Sequence, residues 1–423
     1  MKSLFKELKT FILLWLTQSF SALGSSMTNF ALVIWLYEKS GSALQTALLT
    51  ICSYAPYVIL SIFAGAISDK WNKKAIMLIC DSFAAVCTVA VFILFKTDML
   101  EPWHLYILNG LNGLMNTVQQ PVSDVAATLI IPEKYYQKAS GMRSFSNSLV
   151  TLLTPVLAAS IVAFAGVEAV IAFDLLTFSA AFIVLLFFIR IPSVPKTSEH
   201  SENLLKSAKD GLSYLKTNKG ILCMILFLAA VNLIASVYDA ALPAMILSKK
   251  DETTLGIINT CVGAAALIGS IIATVVPAPK SRSRTICNCL LISMSTENFM
   301  LAFSENTIVW CIGAILGWLF IPLMNANLDV IFRTKIPPEI QGRVYSVRNS
   351  LQFFTIPLGY FLGGLLVDKV FEPFMAQTNI KLLSTLFGIG QGSGAAMLFS
   401  AAGIAGVVVC LIFRRIKCIK ELE

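Results

Sequence analysis

Apolar runs of twenty residues or so, separated by short charged turns, recur along the whole chain. A helix needs about 20 mainly apolar residues to cross the hydrocarbon core of a bilayer. Runs of that kind fall near 10–36, 43–66, 74–95, 103–131, 138–165 and 167–190. After a polar segment from Pro192 to about Lys219, six more fall near 219–248, 253–276, 284–304, 307–333, 340–368 and 384–413. The pattern predicts an all-α membrane protein with twelve transmembrane helices. Its parts are an N-terminal bundle (1–191), a cytoplasmic linker (192–218) and a C-terminal bundle (219–423). In the linker, Leu204, Leu205, Ala208, Leu212 and Leu215 recur at helical spacing, which predicts an amphipathic helix at the cytoplasmic interface.

Charge orients these spans. With the N-terminus in the cytoplasm, 26 of the 32 Lys and Arg residues fall in or beside cytoplasmic segments. Lys39, Lys96, Lys249, Lys250, Lys369 and Lys381 lie on the other side. This is the asymmetry of the positive-inside rule, and an odd number of spans would break it. A multi-pass protein of the cell membrane is expected, with both termini cytoplasmic. No cleavable signal is expected either, since the first apolar run is long enough to span and lacks a small-residue cleavage site.

Composition agrees with that reading. At 57% hydrophobic and 13% charged residues, the chain has too little polar surface to cover a water-soluble globule. The net charge of +8 lies in short clusters between apolar runs, so it is read as topology and not as a nucleic-acid surface. Cys52, Cys80, Cys87, Cys261 and Cys311 sit inside apolar runs, and no CxxC pair occurs, so neither a disulfide framework nor a metal site is expected. His104 and His200 stand apart from other potential ligands and read as solvated or interfacial. Nucleotide-binding loops and nucleophile elbows are missing from the sequence. A non-enzyme without cofactors follows.

The two halves repeat one another. Asp124-Val125 followed by Ile131-Pro132 matches Asp329-Val330 followed by Ile336-Pro337. Asn147-Ser148-Leu149 with Pro155 recurs as Asn349-Ser350-Leu351 with Pro357, at an offset of 202. Two matches in order at nearly one offset predict pseudo-symmetric six-helix bundles in parallel orientation. Six acids fall inside spans: Asp81, Asp124, Asp174, Asp239, Glu297 and Asp329. A charge at the centre of a membrane helix costs roughly 2.5–3.5 kcal/mol on insertion scales, so each asks for a partner, a wet cavity or a function. Arg143, Arg343 and Arg348 are candidate partners.

Between spans 2 and 3 stand Gly65, Asp69, Lys70, Lys73 and Lys74. This glycine, the aspartate four residues on, the basic residue and the basic pair resemble the loop signature of the major facilitator superfamily. The twelve spans and the 6+6 split resemble it too. Asp81, the Ile131-Pro132-Glu133 turn and Gly342-Arg343-Val344 resemble the macrolide efflux proteins and related twelve-span drug exporters within it.

The resemblance implies alternating access, with Gly65, Asp69, Lys70, Lys73, Lys74 and Asp81 as a conformational latch. It implies a central cavity lined by spans 1, 4, 7 and 10, which makes Asp124, Asp239 and Asp329 the candidate proton or substrate sites. Asp81, Asp174 and Glu297 then take structural bonds. Gln18, Asn29, Asn112, Asn116, Gln119, Asn232, Tyr238 and Asn325 are the candidate cavity-lining residues. The implied activity is proton-coupled export of amphipathic, macrolide-like molecules by a monomer in the bilayer, with no nucleic-acid partner. A siderophore-like natural product or a lysophospholipid is the alternative cargo.

Three departures bear on proton antiport. Asn109 stands where many antiporters carry an arginine, four residues before Gly113. Thr154-Pro155 lacks the glycines of the span 5 signature. The second half's loop, with Lys280, Arg282 and Arg284, has no aspartate before it.

Overall fold

The computed structural model describes residues 8–70, 72–132, 136–191, 204–378 and 380–416, and every regular element in them is helical. The chain divides into two units. Residues 1–35 and 52–201 form the first; residues 36–51 and 202–423 form the second.

The first unit is built on α1 (Lys9–Ser40), α2 (Ala43–Lys70), α3 (Lys73–Lys96), α4 (Pro102–Ile130) and α5 (Tyr136–Ile183), which runs into a π-helical turn at Val184–Phe188. Asn72 caps α3, its side chain accepting from the Ala75 N–H at 3.1 Å. At the start of α4, Pro102 occupies a first-turn position and His104 closes a capping box, its Nδ1 accepting from the Glu101 N–H at 3.0 Å. His104, isolated in sequence, is therefore a helix cap.

α5 has 48 residues. An unbroken helix of that length extends about 70 Å, more than twice the hydrocarbon thickness. The run is broken at Gly166, with φ 79° and ψ 173°, a conformation that L side chains rarely adopt. The break falls at the expected boundary between spans 5 and 6. Lys74 secures the far end, its ammonium donating to the carbonyls of Leu186 and Ile189 at 2.8 Å each. A cation at a helix C-terminus satisfies carbonyls that have no partner within the helix. Ile76, Met77 and Cys80 of α3 pack with Val122 and Ala126 of α4 and with Leu185 and Ile189.

The second unit opens with α6 (Leu204–Thr217), the helix expected in the linker. Leu215 is fully buried in the core of this unit, and the Tyr214 hydroxyl donates to the Lys335 carbonyl at 2.9 Å. There follow α7 (Lys219–Lys249), α8 (Glu252–Val275), α9 (Arg282–Ala302), α10 (Thr307–Leu319) and α11 (Ile321–Lys335). The next expected span comprises α12 (Pro338–Phe353), α13 (Thr355–Leu366), a π-helical turn at Val367–Phe371 and α14 (Glu372–Gln377). The short α15 (Lys381–Phe387) precedes α16 (Ser393–Arg415). The last span thus starts at Ser393 and not near 384, because Gly388, Gly390 and Gly392 all take positive φ and end the helical run.

The α1–α2 corner belongs to this second unit. Asp368, in the π-helical turn, accepts from the Ser42 hydroxyl at 2.5 Å and from the Ala43 and Leu44 N–H groups at 3.0 Å each. A carboxylate 325 residues away in sequence therefore caps the N-terminus of α2.

Among the described residues, nine helical stretches are long and apolar enough to cross a membrane. One of them, Phe145–Phe188, contains the two expected spans joined at Gly166. α4 and α9 are the full-length helices outside that set. Both carry too many amide and hydroxyl side chains, and α9 also carries Glu297.

Candidate functional site

The polar residues of α4 explain its low hydropathy and locate the site. Asn109, Asn112, Asn116, Gln119 and Ser123 recur at steps of three and four, which places them on one helical face. On α1, Gln18, Ala22, Ser25, Asn29 and Leu32 follow the same spacing. Both faces line a cavity of about 470 Å³ inside the first unit. Gly113 allows the close approach of α4 to α2, since a Cβ there would overlap the Ser53 carbonyl.

The cavity wall is amphipathic. Phe11, Leu14, Trp15, Val91, Val150 and Phe178 supply apolar surface. Asp81, Asp174 and Arg143 supply charge. Trp15 is held by its indole N–H, which donates to the Met142 carbonyl at 3.1 Å. Gln119 Nε2 donates to Asp81 Oδ1 at 2.5 Å, and the Ser25 hydroxyl donates to Asp174 Oδ1 at 3.0 Å. Four buried polar atoms on this wall make no hydrogen bond of good geometry among the described residues. They are Gln18 Nε2, Thr28 Oγ1, Asp81 Oδ2 and Asn112 Oδ1. Two of them stand beside the wall's own carboxylates, Gln18 next to Asp81 and Thr28 next to Asp174.

Gln18, Asn29, Asn112, Asn116 and Gln119 of the expected cavity set meet here. Asp81 and Asp174 join them from helices read as peripheral, and Asp81 turns to Gln119. Gly65, Asp69 and Lys70 lie on the last turns of α2, their side chains outside the described residues, as is that of Asp124. Lys73 is buried, and Lys74 is engaged with the end of the sixth span.

The second unit holds the remaining candidates. Asn232 donates to the Gln352 carbonyl at 3.3 Å, while Asn325 and Asp329 are exposed. Arg348 stands 4.5 Å over the Phe332 ring and donates to Gln352 Oε1 at 3.1 Å. Glu297 is 5% exposed and accepts from the Trp318 indole at 3.0 Å. Asp239 and the buried Tyr238 hydroxyl lie within electrostatic reach of the same carboxyl group. Gly317 makes room for it, since a Cβ there would fall 2.7 Å from Glu297 Oε2. Sequence reasoning left Glu297 without a partner; the available signal was Gly313 and Gly317, one turn apart, opening a groove on α10 toward α9.

No cluster of three or more His, Cys, Asp or Glu suited to a metal ion occurs among the described residues.

Comparisons with known proteins give one consistent picture. The sequence profile of the Major Facilitator Superfamily matches residues 14–359. Macrolide efflux protein A of Streptococcus pyogenes is 24% identical over 367 residues, covering 85% of this chain and 90% of that protein. Multidrug efflux pump Tap of Mycolicibacterium fortuitum is 22% identical over 359 residues, covering 82% and 86%. Among solved structures, a bacterial homologue of the lysosomal transporter Spinster, inward-facing and occupied, aligns with TM-score 0.69 at 13% identity, covering 96% of each chain. The nucleoside transporter NupG aligns with TM-score 0.68 at 14% identity, covering 96% and 99%.

Proposed function

This chain belongs to the major facilitator superfamily, so it is a multi-pass membrane transporter and not an enzyme, and on that premise we propose that it exports amphipathic small molecules by alternating access. The observation that carries the reading is the cavity of the first unit, where aromatic and aliphatic surface stands beside two carboxylates and a row of amides. A wall of that kind suits bulky lipophilic molecules with a few polar groups. The macrolide and multidrug efflux names of its relatives support the same class of cargo.

Export against a gradient needs a driving force, and we assign it to protons. A proton site needs a carboxyl group whose surroundings change between states. Asp239, beside Glu297 in the second unit, is our candidate, with Asp124 and Asp329 as further ones. The latch is assigned to Gly65, Asp69, Lys70 and Lys73 at the cytoplasmic ends of α2 and α3. The protein works in the cell membrane, as a monomer, with both termini in the cytoplasm.

An efflux-deficient bacterium expressing the protein should tolerate higher concentrations of macrolides and other amphipathic drugs. Asp239→Asn and Asp69→Asn should each lose that tolerance at equal expression. Everted vesicles should accumulate drug only while a pH gradient stands. Accumulation that survives collapse of the gradient would remove proton coupling, and unchanged drug sensitivity across the panel would remove export.

A further inference from the structure

α2 has an acid at each end: Asp69 lies on its last turn, and Asp368 caps its first. The sequence around the two follows one pattern. Gly65-Ala66-Ile67-Ser68-Asp69-Lys70 and Gly364-Leu365-Leu366-Val367-Asp368-Lys369 both read glycine, three apolar or small residues, aspartate, lysine. Lys39 and Lys369 mark the Asp368 end as the side away from the cytoplasm by the charge reading.

At that end the geometry shows what each residue does. Gly364 is buried, and a Cβ there would fall 2.5 Å from Leu44 Cα and 3.0 Å from the Ala43 carbonyl oxygen, so the glycine lets the first turn of α2 approach. One helical turn on, Asp368 receives the Ser42 hydroxyl and the Ala43 and Leu44 N–H groups. Glu372, a further turn on, does the same for α16, accepting from the Gly392 and Ala395 N–H groups at 3.1 and 3.0 Å. The two caps differ in what they hold. α16 lies wholly within the second unit, whereas α1 and α2 belong to that unit only over residues 36–51 and to the first unit on either side.

A cap within one unit persists through any movement of the other. Asp368 instead holds the first turn of a helix whose body belongs to the first unit, so a rearrangement that parts the two units at this end must break its bonds. We propose that Asp368, admitted by Gly364, is the outer latch of the transport cycle, the counterpart of Asp69 at the opposite end of the same helix. It is a positioning residue that sets the balance between states. This rests on the alternating-access reading above and adds the residue that keeps the outer side shut.

Hydrogen exchange of the full chain in lipid nanodiscs, read by peptide mass spectrometry, reports both ends of α2 at once. Asp368→Asn removes the charge and turns one acceptor oxygen into an N–H that faces donors. It should quicken exchange about fivefold over residues 36–51, the ratio that a typical cap's loss corresponds to, and slow it over residues 64–70. Gly364→Ala, which pushes the first turn of α2 off Asp368 and leaves the charge in place, should move both ends the same way. Glu372→Gln, also a lost cap, should quicken exchange around residues 392–396 and leave both ends of α2 unchanged. Asp69→Asn should act opposite to Asp368→Asn. Faster exchange confined to the first turn of α2 in Asp368→Asn, with residues 64–70 unmoved, would make Asp368 a cap and nothing more, and overturns the proposal. So does a reciprocal shift in Glu372→Gln equal to that in Asp368→Asn. If Asp69→Asn leaves exchange unchanged while Asp368→Asn shifts both ends, the loop latch falls and the outer one stands. The drug panel decides export separately, because exchange is read without cargo.

Discussion

Glu297 shows what a single buried carboxyl group demands. It sits in mid-helix on α9, 5% exposed, and the Trp318 indole reaches it at 3.0 Å. Removing one partner of such a pair leaves the other desolvated, which costs about 1–3 kcal/mol, whereas replacing both with apolar groups recovers much of the loss. Trp318→Phe should therefore lower the thermal unfolding temperature, and adding Glu297→Leu should restore part of it. Equal losses for the single and double variants would show that the bond contributes nothing.

Asp251 illustrates a cap in the aqueous turn before α8. Its Oδ1 accepts from the Thr254 hydroxyl at 2.6 Å and the Thr254 N–H at 2.8 Å, and these two bonds hold its pKa below the ordinary 3.8. A depressed carboxyl pKa stabilises the fold above the unfolded-state value, and that contribution is lost as pH falls through the folded-state value. Asp251→Ala should cost about 1 kcal/mol at neutral pH, a typical value for a lost cap, and should make no difference well below pH 3.8. Thermal melts across that pH range would read the convergence.

Helices here are fixed at their ends by partners distant in sequence. Lys74 begins α3 yet closes the end of the sixth span through the Leu186 and Ile189 carbonyls. Lys74→Met keeps most of the apolar stem and removes both bonds. Hydrogen exchange should then quicken around residues 184–189, with little change elsewhere in α3; uniform exchange would deny Lys74 that role. Asp368 does the corresponding task for α2, where the orphan donors of the first turn would otherwise face no acceptor. Such caps were illegible in the sequence because the pairing residues are 112 to 326 positions apart. The break at Gly166, by contrast, could be placed from the apolar pattern and a glycine at its seam.

For the molecule as a whole, the sequence foretold an all-helical membrane protein and the ends of most of its long helices, because bilayer thickness sets length and turns must be polar. The amides Asn112, Asn116 and Gln119, candidate cavity residues in the sequence, share one face of α4 and line the first-unit cavity, as polar side chains inside a membrane turn toward a neighbouring helix or a wet cavity. The grouping of residues 36–51 with the second unit was not legible, because it depends on Asp368 and on the Tyr37 hydroxyl bond to Ala244 at 2.8 Å. Nor was the presence of Asp81 and Asp174 on the cavity wall. Which face of a helix meets a cavity is decided by packing, and periodicity alone leaves a lone acid on an apolar helix without direction.

The low hydropathy of α4 and α9 has a consequence for how the protein is made. A segment with that many amides and hydroxyls gains little by leaving the translocon alone, and becomes soluble in lipid only when a neighbour shields its polar face. α4 follows α3 after a turn of five residues, Thr97–Glu101, and α9 precedes α10 after one of four, Phe303–Asn306. Each weak helix is thus synthesised beside a strongly apolar one and should enter the membrane as half of a hairpin. In a glycosylation-reporter assay, α4 alone should insert inefficiently, and α3 placed before it should raise insertion sharply. Biogenesis thus depends on the order of synthesis as well as on the final packing, and the residues that equip the cavity are those that make insertion hardest.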